Sequence, residues 1–203
     1  MNSTMVVFGI RLVMKKGVDH MNKAYKLVRK KKDGNYYPLY VLAKDPFPVG
    51  SWIEAKCGEL TKNGKVKSRL GELAYRPGLH LCEIPHETHI GGKSKGTGHP
   101  VDYLPDDLVW VEVEYSSDVN YQIMANKAGV NKKGNVVAAK AYLKEIPKNG
   151  YYYYNTSNHA TVRWIICGAM KITREVPDAE VATICAKHGL VPLPRFDELK
   201  KVN

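Results

Sequence analysis

Apolar and polar residues alternate one by one along most of this chain, the spacing of half-buried strands; the helical period shows clearly once. The strongest alternation is Leu108 to Tyr115, with Val109, Val111 and Val113 on one face and Trp110, Glu112 and Glu114 on the other. Ala24 to Arg29 alternates likewise and places Tyr25, Leu27 and the Arg29 stem together. Asp33-Gly34 follows, a hairpin signal because glycine tolerates the positive φ of tight turns. The pattern predicts a returning strand from Tyr36 to Ala43, with Pro38 marking an edge, since proline has no N–H for a ladder.

Trp52 to Cys57 reads as a further strand, and Lys62 to Lys65 as a turn. Pro77-Gly78 turns the chain into a strand from Leu79 to Cys82. The stretch from Asp118 to Gly150 has no clear period, apart from a turn at Asn131 to Gly134 and a short helix predicted over Val136 to Glu145. Thr161 to Thr173 reads as one long apolar strand bulged at Gly168. The signposted helix opens at Pro177 and Asp178, buries Val181, Ile184 and Cys185, and stops at Gly189 behind Lys187 and His188. Many short strands and few helices predict an α+β fold, mostly antiparallel β-sheet, with a single domain over residues 23–203 and an N-terminal extension over 1–22.

At 203 residues, one domain is the natural size. No run of about 18 apolar residues predicts a membrane helix. The short run Met5 to Ile10 is followed, not preceded, by its basic residues, unlike a secretion signal. Cys57, Cys82, Cys167 and Cys185 show no paired spacing, so four reduced thiols and a cytoplasmic location are expected.

Charge changes the picture more. Lysine and arginine number 31 against 20 acids, a net charge of +11. Such a balance favours a polyanionic partner. The basic residues gather at turns: Lys26, Arg29, Lys30, Lys31 and Lys32 at the first hairpin; Lys62, Lys65, Lys67 and Arg69 at the second turn; Lys93 and Lys95 in the Gly-rich loop of residues 91–100; Lys132 and Lys133 at a fourth. Turns of one sign on one face would track phosphates, and Tyr36, Tyr37 and the run Tyr151 to Tyr154 would offer stacking surfaces. DNA, RNA or a complex of a nuclease with its guide RNA is therefore the expected partner, with no membrane and no cofactor. His80, Cys82, His86 and His89 lie close in sequence but match no zinc spacing, and the acids form no recognisable acid–base pair. No phosphate loop, nucleophile elbow or metalloprotease motif is present.

Three segments, YKLVRKKKDG, AYRPGLHLCEIP and WIICGAMKITREVPDAEV, resemble a family of uncharacterised phage and prophage proteins. They share a basic first hairpin, an R-P-G-x-H strand and a late W-[IV]-x-x-x-x-[IM]-K-[IV] strand, and the match spans most of Met21 to Leu190. In length and charge the chain is also similar to phage anti-CRISPR proteins, which implies an inhibitor of a host defence nuclease. A strand ending in Arg29, the Gly78-Leu79-His80 strand and the stretch Asn155 to Ser157 further resemble the ADP-ribosyltransferases. That likeness implies NAD as cofactor and a nucleotide site drawn from Arg29, Arg76, His80 and Tyr152 (or Ser157), with Glu175 or Glu180 as the acid. The chain departs from that pattern: its one Glu-x-Glu, Glu112-Val113-Glu114, precedes the Asn155 stretch instead of following it. A structural phage component is the third reading.

Overall fold

The computed structural model describes residues 22–87, 90, 102–156 and 162–195. The N-terminal extension, His89, Lys93, Lys95 and Ser157 lie outside them. Eleven strands and two helices are described: β1 (Lys23–Lys30), β2 (Tyr36–Tyr37), β3 (Trp52–Glu54), β4 (Val66–Ser68), β5 (Gly71–Leu73), β6 (Leu79–Cys82), β7 (Leu108–Tyr115), β8 (Val119–Asn120), α1 (Gln122–Ala128), β9 (Gly150–Tyr154), β10 (Trp164–Cys167), β11 (Ala169–Val176) and α2 (Asp178–Lys187). The fold is α+β and mainly antiparallel, as the alternation predicts.

Nine strands form one sheet in the order β3-β11-β7-β1-β6-β10-β9-β8, with β2 paired to β1; β4 and β5 form a separate hairpin. Every pairing is antiparallel except β8 with β9. The predicted strand from Thr161 to Thr173 is two strands. β10 pairs with β6 and β9, whereas β11 pairs with β7 and β3. Three strands therefore separate β10 from β11 in the sheet, although Gly168 alone joins them in sequence. That is possible only because the sheet curls on itself. Gly168 is the crossing point, and its backbone passes so close to Pro147 that an added Cβ would sit 2.3 Å from the Pro147 carbonyl oxygen.

The concave face holds Ala24, Val28, Leu81, Val109, Val111, Val113, Ile165, Met170 and Ile172, drawn from both halves of the curl. Tyr115 and Tyr151 meet edge to face across it at 5.3 Å. The opposite face of β7 is covered by α2, whose Val181 and Cys185 pack with Leu108, Trp110 and Val176. All eight residues of β7 are thus buried, Glu112 and Glu114 included. The alternation in β7 separates two buried faces, so these acids are not the exposed positions their polarity suggests. Glu112 accepts hydrogen bonds from Lys23 at 3.2 Å and Arg174 at 3.0 Å, and also from the Thr173 hydroxyl; Glu114 pairs with Lys171 at 2.6 Å. Burial alone would raise the Glu112 carboxyl, but those donors hold it below its usual range. Buried carboxylates paired in this way are costly to leave alone.

Other boundaries shift for local reasons. β2 stops at Tyr37, because Pro38 cannot extend the ladder and Leu42 then turns with φ 53°. β3 ends at Glu54, short of Cys57. The helix expected over Val136 to Glu145 is a single 3-10 turn at Ala138–Lys140, while α1 occupies part of the unassigned stretch. α2 and its stop at Gly189, φ 68°, are as predicted.

Substituting Gly168 by Ala should force the Pro147 backbone aside and destabilise the fold by more than about 2 kcal/mol. Thermal or urea denaturation measures this; an unchanged midpoint would mean that the crossing is not tightly packed.

Candidate anion-binding cleft

β1 has two edges. One pairs with β7 over seven residues, from Lys23 to Arg29. The other meets β6 only at Tyr25 with Cys82, and then β2 at Arg29 and Lys30. On the Leu79 side of that pair, β6 and β1 splay apart and leave the middle of β1 without a strand along that edge. A cleft of about 680 Å³ occupies the gap. Residues of both sheet faces line it: Phe47, Ile53 and Leu79 from the concave face, Trp110, Trp164 and His80 from the other. Tyr40, Tyr75 and Tyr154 add further aromatic wall.

Gly78 lets β6 enter this wall. Its φ of 129° suits glycine, and a Cβ there would meet Ile166 at 2.5 Å. The tight turn places Arg76 and His80 side by side: the His80 Nε2–H donates to the Arg76 carbonyl oxygen at 3.1 Å. Lys26 reaches across the splay and donates from Nζ to the His80 carbonyl oxygen at 2.8 Å. Three basic groups thus converge where the strands part.

Their environment is unusual for cations. The Arg76 guanidinium lies 4.8 Å from the centre of the Tyr154 ring and bonds the Tyr154 hydroxyl, but its Nε is buried with no partner. Lys26 lies 5.9 Å from the Phe47 ring centre. Among the described residues neither cation makes an ion pair. Burial lowers the Lys26 ammonium from 10.5 to about 8. Burial, with the nearby charges of Lys26 and Arg76, lowers His80 to about 3, so its ring is neutral. Cys82 and Cys167, close to Lys26, are pushed up by burial and remain thiols. All four cysteines are unpaired, and Cys57 is exposed at the cleft, 3.2 Å from the Tyr75 hydroxyl.

Of the residues the sequence singles out for a nucleotide, the fold unites Arg76 and His80. Arg29 lies outside the cleft wall and pairs with Asp107. Tyr152 is fully buried among Ala125, Tyr154 and Ile166, and burial raises its hydroxyl to about 12. Neither acid carried over by the resemblance reaches the cleft: Glu175 accepts from Lys30 and Tyr36, and Glu180 from Arg174. Among the described residues no three of His, Cys, Asp and Glu are grouped to hold a metal. Lys26, which the spacing assigned to a solvated turn, is instead the cleft's own amine. Its position between Tyr25 and Leu27 in an alternating strand is the available signal: a lysine on the Ala24 and Val28 face sits half-buried in the cleft, not at the turn.

The basic turns do not make one free face. Lys30 pairs with Glu175 at 2.8 Å, Lys65 with Glu72 at 3.8 Å, and Lys67 with Glu59; Lys31 lies over the Tyr37 ring at 3.4 Å. Lys32, Lys62 and Arg69 are exposed. Lys132 and Lys133 sit in the turn that follows α1, beside the opposite end of the sheet. No family model, curated protein or solved structure matches the chain. Among the described residues no helix is long and apolar enough to cross a membrane.

An unpaired ammonium in this cleft opposes folding. The unfolded chain binds more protons than the folded one between pH 8 and 10.5, so stability should rise with pH through that window. Lys26→Met should raise stability at pH 7 by about 2 kcal/mol, allowing for the lost hydrogen bond, and this advantage should shrink towards pH 10.5. Chemical denaturation of both proteins across pH tests this; a destabilised variant at pH 7 would show that the amine's partners outweigh its burial.

Proposed function

We propose that the chain is a binding protein for a phosphorylated, ring-bearing ligand of the nucleotide class, held in the cleft beside β1. One observation carries the reading: inside a wall of aromatic side chains, Lys26 and Arg76 both lie beside His80 and among the described residues make no ion pair, although Asp45 and Glu54 also line the cleft. A ligand phosphate would supply the missing charge and accept from the Arg76 fork. A base or other flat ring would pack against Trp164, Tyr40 or Phe47. The volume falls within the range of small-molecule sites. NAD remains a candidate ligand by this chemistry. Transfer of its ADP-ribose is not part of the reading, since Glu175 and Glu180 are engaged elsewhere.

ADP, NAD and inorganic phosphate are the first probes, by calorimetry and thermal shift. ADP or NAD should bind and raise the melting temperature, and Arg76→Ala should weaken binding at least about tenfold, the scale of a charged hydrogen bond. Absence of binding by both nucleotides at millimolar concentration would overturn the reading.

A second reading, nucleic-acid binding, is favoured by a separate observation. Residues 119–144 carry five lysines and no acid. Lys127, Lys132, Lys133 and Lys140 are exposed there. Phosphates of DNA, of RNA or of a guide RNA within a nuclease complex would all satisfy them. Fluorescence anisotropy with DNA and RNA oligonucleotides should then show affinity falling steeply with salt. The double change Lys132→Ala, Lys133→Ala should flatten that slope more than changes at Lys30 and Lys67, which already hold acids. Equal effects at both places would remove the special role of this segment.

A further inference from the structure

We propose that Lys26 is a covalent anchor for a phosphorylated aldehyde, forming a reversible imine with it in the cleft. The inference rests on the reading of the cleft as a phosphate-ligand site and specifies the ligand's second functional group.

The argument begins from what Lys26 does not do. A half-buried lysine with a structural role is normally paired with a carboxylate, as Lys171 is with Glu114 at 2.6 Å. Lys26 instead uses one N–H on the His80 carbonyl, at 2.8 Å, and makes no ion pair among the described residues. Lys26 lines the cavity that the splay between β1 and β6 leaves. Burial is what favours the neutral amine; the Phe47 ring face and the neighbouring Cys82 and Cys167 pull weakly the other way. At pH 7 to 8 an appreciable fraction of the amine carries its lone pair, in contrast to exposed lysines. Arg76, whose guanidinium lies against Tyr154 in the same cleft wall, would hold the phosphate.

The chemistry needs no oxidant and no second reactant. The neutral Nζ adds to the carbonyl carbon, and the C=O π pair moves to oxygen, which takes up a proton as the nitrogen loses one. The carbinolamine hydroxyl then leaves as water while a C=N bond forms and the last N–H proton goes to solvent. Amine plus aldehyde becomes imine plus water, and hydrolysis reverses it.

Pyridoxal 5′-phosphate is the probe: it joins a phosphate, a flat ring and an aldehyde. The full-length protein is incubated with it, reduced with borohydride and mapped by peptide mass spectrometry. A single saturable pyridoxyl group on Lys26 is expected, displaced by ADP, with pyridoxal lacking the phosphate labelling at least about tenfold less. Lys26→Arg should lose the label and Lys26→Met should lose it too, so one poorly folded variant does not decide the matter. Label spread over Lys31, Lys32 and Lys62 with Lys26 unmodified overturns the inference. If ADP still raises the melting temperature in that case, the cleft reading survives alone; if it does not, both fall. Label on Lys26 that neither ADP nor loss of the phosphate reduces overturns the phosphate half of the inference along with the cleft reading.

Discussion

The arrangement depends on how β1 uses its two edges. A strand in the middle of a sheet normally spends all its N–H and C=O groups on two neighbours. β1 does so with β7 along its length, but holds β6 at a single pair, Tyr25 with Cys82. That one register point joins the half containing β3, β11 and β7 to the half containing β10, β9 and β8. The two halves are held together elsewhere by the curl: Gly168 carries the chain from β10 to β11, and the concave cores of both halves merge. The sheet can therefore open between β1 and β6 without falling apart, and the opening is the cleft.

Two kinds of buried charge coexist in this fold, and the contrast gives the cleft its meaning. Glu112 is surrounded by Lys23, Arg174 and Thr173, so its burial is compensated on every side. The network also ties β1, β7, β11 and, through Arg174 and Glu180, α2. Lys26 lies on the same strand as Lys23 but lacks any such compensation. Acids are outnumbered in this chain, yet the surface residues Lys30, Lys65 and Lys67 each find one. Among the described residues Lys26 and Arg76 pair with none, although Asp45 and Glu54 line the same cleft, so the missing pairing is a local property of the site.

Much of the fold was legible because period and turn chemistry act locally. β7, β6 behind Pro77-Gly78, the hairpin at Asp33-Gly34 and α2 between Pro177 and Gly189 stand where the residues place them. What was not legible depends on partners distant in sequence. Thr161 to Thr173 reads as one strand because apolar residues run through Gly168; only the approach of Pro147 reveals that the chain changes neighbours there. Glu112 reads as exposed because alternation cannot tell solvent from a second buried layer, here supplied by α2 from residues 178–187. For the site, Arg76 and His80 were legible as neighbours of one turn. Lys26 reads as one of the turn lysines, although its parity with Ala24 and Val28 sets it apart.

The same parity explains why a lysine at this place matters more than the net charge of +11. Exposed lysines are hydrated and mobile, so each adds little specificity. Lys26 is fixed by its strand, by the His80 carbonyl and by the Phe47 ring. An ammonium so held has lost water without gaining a counter-charge, and the free energy forgone is returned only when something anionic or electrophilic enters the gap. A half-buried amine in a largely apolar and aromatic cleft is the feature that the proposed anionic ligand would compensate. Placing the amine there, beside the one interval of β1 that β6 leaves open, makes ligand binding and the stability of the sheet's weakest joint parts of one equilibrium.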